Sequence, residues 1–151
     1  MSFQESAIEG TKYAAAEAFK YAKKVPADKL NWKPLDNGRS VLELCQEMAQ
    51  CAGWTTQILQ GGLQMGEGDP TASLDTVEAC EAECNKNLEA MYAAVREFPE
   101  SRLEEKYTLP FDGGVEITMM QNIMYPQWNF AYHQGQIGYI QTLYGDKNNY
   151  W

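Results

Sequence analysis

His133 is the only histidine in the chain, and it stands in an apolar helical pattern. At 100° per residue, with His133 at zero, Asn122 lies at about -20°, Asn129 at about -40° and Gln136 at about -60°, among Pro126, Ile137 and Ile140. Half of this seam is therefore amide or imidazole, and burying such a group without a partner costs on the order of 1–3 kcal/mol. A second intruder is Glu47, about -60° from Leu44 on another amphipathic stretch, beside Met48 and Cys51. A carboxylate, an amide and an imidazole facing inward have two uses. They can hold a divalent cation, as bundles do with side chains from facing helices, or they can hydrogen-bond one another and satisfy their own burial. As metal ligands, Glu47, Asn129 and His133 ask for a harder ion than three imidazoles would, with zinc, nickel, manganese and iron all admissible. Met48, Cys51, Tyr125, Tyr132 and Gln136 are the expected pocket residues around them. The phenols there have two readings, core filling plus a dimer face, or a wall that orients a substrate. Paired Glu-x-x-His motifs of a di-iron site are ruled out by the single histidine.

The other reactive groups are four cysteines, Cys45, Cys51, Cys80 and Cys84. None forms a C-x-x-C pair and the sequence has no secretory mark, so reduced thiols are expected. Cys80 and Cys84 are spaced to share a helix face, but their positions are plain core positions, and no basic neighbour in the sequence lowers a thiol's pKa. No nucleophile is assigned.

Charge narrows the partners. With 12 Lys+Arg against 21 Asp+Glu the net charge is -9, which repels phosphate backbones and anionic headgroups, so neither nucleic acid nor a membrane surface is expected. No apolar run approaches the roughly 20 residues of a membrane helix, and MSFQESAIEGTK lacks the basic and apolar regions of a signal peptide. A cytoplasmic protein is the expectation. The 151 residues, 44% of them apolar, predict a single domain over 1–151 whose core needs no staple.

The elements that must position these side chains announce themselves by a Ser or Thr followed three residues later by Glu or Gln, the capping-box signature. Ser2/Glu5, Ser40/Glu43, Ser101/Glu104 and Thr118/Gln121 fit it, and Asp75/Glu78 is an acidic version. Periodicity predicts helices over about Ser2–Lys24, Ser40–Gln60, Ser73–Glu97 and Thr118–Leu143. The core stripes are Phe3, Ile8, Ala15, Phe19 and Ala22; Val41, Leu44, Met48, Cys51, Thr55 and Ile58; Val77, Cys80, Cys84, Met91, Val95 and Phe98; and Met119, Ile123, Pro126, Phe130, His133, Ile137, Ile140 and Tyr144. Pro126 predicts a kink. Between Glu104 and Thr118 the period changes to alternation around Asp112-Gly113-Gly114, which predicts a short β-hairpin or a pair of extended arms. Its length suits an overhand crossing of the bundle between the third and fourth helices. The tail DKNNYW either stays loose or docks on a partner subunit.

Gly38-Arg39-Ser40-Val41-Leu42-Glu43-Leu44, followed by Tyr132-His133-Gln134-Gly135-Gln136-Ile137-Gly138-Tyr139-Ile140 and Leu143-Tyr144-Gly145, resembles the DinB-like (DinB/YfiT-like) superfamily over nearly the whole chain. The resemblance implies an all-α, up-down-down-up four-helix bundle, often dimeric. Many members hold zinc or nickel with three histidines, one on the second helix and two in an H-x-x-x-H on the last. Carried over, these positions fall on Glu47, Asn129 and His133, so one of the three histidines is kept here. Some relatives are thiol-dependent transferases or isomerases. Two functions follow. One is a metal-dependent transferase or hydrolase acting on a small molecule or low-molecular-weight thiol. The other is a metal-free, homodimeric small-molecule-binding or interaction module in which Glu47 pairs with His133 or Asn129.

Overall fold

A computed structural model describes residues 1–64, 66–111 and 113–150. Four helices carry the fold: α1 Phe3–Ala22, α2 Val41–Leu59, α3 Val77–Glu97 and α4 Met119–Leu143. A two-stranded antiparallel hairpin, β1 Lys106–Thr108 and β2 Glu116–Thr118, immediately precedes α4 and pairs Tyr107 with Ile117. Asp112, predicted in its turn, lies outside the described residues, as does Trp151 of the tail.

The capping signals read at Ser2, Ser40 and Thr118 act at the starts of α1, α2 and α4, while Asp75/Glu78 and Ser101/Glu104 cap no α-helix. Ser40 Oγ accepts from Glu43 N while Glu43 Oε2 accepts from Ser40 N, and Thr118 and Gln121 make the same reciprocal pair at the start of α4. At α1 only the Ser2 half is made. The third helix departs from the expectation: it begins at Val77, not Ser73, and its cap is Thr76, whose Oγ1 accepts from Ala79 N. Leu74 explains the delay. It is buried, its N–H turns back to Thr71 O, and its carbonyl accepts from Gln46 Nε2 of α2. Ser101 lies in a short 3-10 turn, Glu100–Arg102, and starts no α-helix.

Cross-helix contacts set the directions. Thr55 bonds Asn122 and Glu47 bonds His133, so α2 and α4 run antiparallel. Gln46 meets Leu74 and Ala49 meets Asn87, so α2 and α3 run the same way. Gly10 lies against Gln127 and Gly138 against Tyr21, so α1 and α4 are parallel as well. The result is an up-down-down-up bundle in which α1 packs on α3 and α4, and α2 on α3 and α4. This corrects the expected place of the crossing. The connection that must travel the bundle's length is the one between the parallel α2 and α3, while the hairpin segment spans a diagonal at one end. Gly61 and Gly62, both at positive φ (130° and 133°), turn the chain out of α2 into that crossing, a conformation available to glycine without Cβ strain.

The predicted stripes form the core: Ile8, Phe19, Val41, Leu44, Met48, Cys51, Cys80, Cys84, Met91, Val95, Ile123, Phe130 and Ile137 are all buried. Helix α4 continues through Pro126 without a break in its assignment. Among the described residues no helix is long and apolar enough to cross a membrane.

Candidate functional site

The Ser40 box fixes the first turn of α2, and that places two groups. Glu47 sits two turns in, on the side facing α4. Arg39, just outside the cap, folds back over the first turn, where Nη2 donates to Glu43 O at 3.1 Å and Nη1 donates to Glu47 Oε2. On α4, Asn129 and His133 lie one turn apart and are buried, 1% and 2% exposed.

These side chains meet. Glu47 Oε1 lies 3.0 Å from His133 Nε2 and 3.2 Å from Asn129 Nδ2, and Asn129 Nδ2 lies 3.2 Å from His133 Nε2 and 3.3 Å from Tyr125 Oη. The other ring nitrogen, His133 Nδ1, is 2.6 Å from Gln136 Oε1. Each imidazole nitrogen thus has an oxygen within hydrogen-bond distance, Glu47 Oε1 at Nε2 and Gln136 Oε1 at Nδ1. Electrostatics follow the contacts. The His133 hydrogen bond, helped by the Arg39 guanidinium and opposed by burial, holds the Glu47 carboxyl at about 2. Burial, and then the negative charge of Glu47, push the Tyr125 phenol up to about 12, so it stays a hydroxyl.

As a metal centre this donor set is a poor fit. One imidazole, one carboxylate and one amide are fewer strong ligands than the three imidazoles or thiolates of zinc and nickel sites. One carboxylate oxygen is already held by a guanidinium and the other by the imidazole, and Asn129 turns its amide nitrogen, not its oxygen, into the cluster. Among the described residues no group of three His, Cys, Asp or Glu side chains gathers to hold a metal ion. Asn129 Oδ1 is the one leftover oxygen, buried with no hydrogen-bond partner.

Of the remaining predicted pocket residues, Gln136 touches the cluster through the imidazole, whereas Met48 and Cys51 are sealed in the core, Cys51 Sγ donating to Met48 O at 3.3 Å. Tyr132 is exposed, stacked on Trp128 with centroids 5.2 Å apart and edge-on to His133 at 5.3 Å. Tyr125 has two roles, since its hydroxyl meets Asn129 and it also lines a cavity of about 650 Å³ between α2, the hairpin and α4. Trp54, Ile58, Leu109, Phe111, Ile117 and Met124 form most of the apolar wall. Sequence reasoning missed this cavity and also missed Arg39. The signal for Arg39 was its place one residue before the cap, from which a long side chain reaches back along the helix.

All four cysteines are free and buried, and burial raises each thiol, Cys80 to about 11 and Cys84 to about 12.

No protein-family model and no curated protein sequence matches this chain. Solved structures do. A conserved protein from Enterococcus faecalis superposes with a TM-score of 0.72 at 13% identity, over 95% of this chain and 97% of that one. A DinB-like protein, YjoA, from Bacillus subtilis superposes with a TM-score of 0.64 at 13% identity, over 95% and 94%. The fold is DinB-like. At such identity the likeness is one of fold, and the chemistry rests on this chain's own residues. On this DinB-like bundle, the three positions that the sequence resemblance aligned with histidines form one hydrogen-bonded cluster.

Proposed function

We propose that this DinB-like bundle is a metal-free small-molecule-binding protein whose inner polar site is closed by side chains rather than by a cation. One observation carries the reading: the direct 3.0 Å contact between Glu47 Oε1 and His133 Nε2, with Arg39 on the other carboxylate oxygen. A guanidinium places positive charge where a divalent ion would add two more charges, and like charges in a partly desolvated site repel strongly. Closed in this way, the cluster fixes the spacing of α2 and α4 and supports Tyr125 at the edge of the cavity, leaving the cavity for a ligand.

Metal analysis of protein purified without a histidine tag tests this, together with thermal unfolding in excess zinc, nickel, manganese or iron. The reading expects less than about a tenth of an equivalent of metal and no shift in Tm. Stoichiometric uptake, accompanied by a rise in Tm that Glu47→Gln abolishes, overturns it. That result would establish the Glu47 carboxylate as a metal ligand.

A further inference from the structure

The cavity beside the cluster has a chemistry of its own. Among the described residues its wall contains no charged side chain. Its buried polar members, Thr55 and Asn122, are committed to each other: Thr55 Oγ1 donates to Asn122 O at 3.2 Å and Asn122 Nδ2 donates to Thr55 O at 3.1 Å. Gln64 and Gln121 stand at the exposed rim. Among the described residues the Asn122 Oδ1 acceptor has no partner, and one inner donor is left unused as well. Tyr125 Oη accepts from Asn129 Nδ2, and its own O–H meets no acceptor among the described residues. Around the mouth, Trp54, Phe111, Met124 and Trp128 are 39%, 48%, 38% and 59% exposed, so apolar surface remains for an occupant to cover.

Resting on the small-molecule reading above, we infer that this cavity takes an uncharged, largely apolar molecule carrying a single inward hydrogen-bond acceptor, such as a carbonyl oxygen, which receives the Tyr125 O–H. The wall selects by what it withholds. A peptide would bring a row of amide N–H and C=O groups, and a sugar a set of hydroxyls, against a mostly apolar wall with few free partners, leaving the rest desolvated and unpaired. Phosphates and carboxylates would find no cation there. The volume, about 650 Å³, falls within the roughly 300–1,000 Å³ range of small-molecule sites. Because burial and the Glu47 charge keep Tyr125 a hydroxyl to about pH 12, it remains a donor under all ordinary conditions.

Three fluorescent probes separate the claims. Prodan is an uncharged naphthyl ketone, N-phenylnaphthylamine is uncharged without a carbonyl, and anilinonaphthalene sulfonate adds an anionic group to that amine. The expected result is saturable one-to-one binding of prodan with energy transfer from Trp54 and Trp128, and binding of the sulfonate about tenfold weaker than that of the uncharged amine. Tyr125→Phe should weaken prodan roughly fivefold, the loss of one hydrogen bond, and leave the amine unchanged. Leu109→Trp, which fills the cavity from the hairpin side, should abolish binding of all three while circular dichroism and thermal unfolding stay native. Equal affinity for sulfonate and amine, indifference of prodan to Tyr125→Phe, or a dimer that forms and excludes prodan would each overturn the assignment. Metal uptake would defeat the metal-free reading whatever prodan does. Absence of prodan binding from metal-free protein defeats this inference alone.

Discussion

Glu47 Oε1 and His133 Nε2 approach to 3.0 Å across 86 residues of sequence, joining the second turn of α2 to the middle of α4. Neither group is free to leave the core side of its helix, and each satisfies part of the other's burial. Helix α4 is thereby registered against α2 by a polar contact where a purely apolar seam would permit sliding.

This pair gives stability a pH dependence. The Glu47 carboxyl titrates near 2 in the folded protein, lowered from an ordinary 4.5 first by the His133 hydrogen bond and then by Arg39. A folded value below the unfolded one stabilises the native state above the unfolded value, and the contribution is lost as pH falls from about 4.5 toward 2. In urea unfolding at neutral pH, Glu47→Gln should be less stable than the native protein by about 2 kcal/mol, the worth of a charge-assisted hydrogen bond. The gap should close as the pH drops through that window. A gap unchanged down to about pH 2 would mean that the carboxylate's charge contributes nothing.

Restoring imidazoles should turn the closed site into an open one. In the double variant Glu47→His with Asn129→His, the carboxylate that holds Arg39 is gone and three imidazoles face one another from α2 and α4. Such a set binds zinc or nickel well, and metal that binds only the folded state raises Tm with its concentration. The expected outcome is about one equivalent of zinc and a Tm rise of several degrees in excess metal, neither of which is expected of the native chain. A double variant that folds and stays metal-free would show that the three positions do not share one coordination sphere.

Much of this arrangement was legible in the sequence, because burial of polar residues leaves a periodic trace. Asn122, Asn129 and His133 were set apart by falling on an apolar stripe, and all three are buried. The core stripes were legible for the same reason. What escaped depended on contacts between distant segments. The start of α3 is set by a carbonyl of Leu74 that bonds Gln46, twenty-eight residues earlier, and no local signal outweighs that. The crossing between α2 and α3 follows from helix directions, which composition does not encode. Arg39 bonds Glu47 because a cap one residue later aims it, and the cavity is a space enclosed by three elements, none of which is concave alone.

The reciprocal pair of Thr55 and Asn122 ties α2 to α4 one further place, two turns from the cluster. Each side chain bonds the other residue's backbone carbonyl, and both residues are buried. Asn122→Ala removes a second donor from the Thr55 carbonyl, which keeps its helical partner within α2, so denaturation should show a loss of about 1–2 kcal/mol. Thr55→Val deletes the hydroxyl that serves the Asn122 carbonyl, whose residue four places on is Pro126 with no N–H to give, and should cost more, about 2–3 kcal/mol. Equal and negligible losses would mean that water reaches these carbonyls.

The four thiols should be silent in the native state. Only a thiolate attacks a disulfide reagent, and burial raises all four groups, Cys80 to about 11 and Cys84 to about 12. Access is closed as well, since all four side chains are buried between α2 and α3. Near pH 8, Ellman's reagent should therefore modify the protein in buffer only through its small unfolded fraction, and all four thiols at once in strong denaturant. Intermediate urea should raise the rate in proportion to the unfolded fraction, the mark of reaction through global opening. Rapid modification of a single thiol in buffer would identify a mobile, reactive cysteine and reopen nucleophilic chemistry on this chain. Without it, any thiol that takes part in reactions at this bundle must be brought by the ligand.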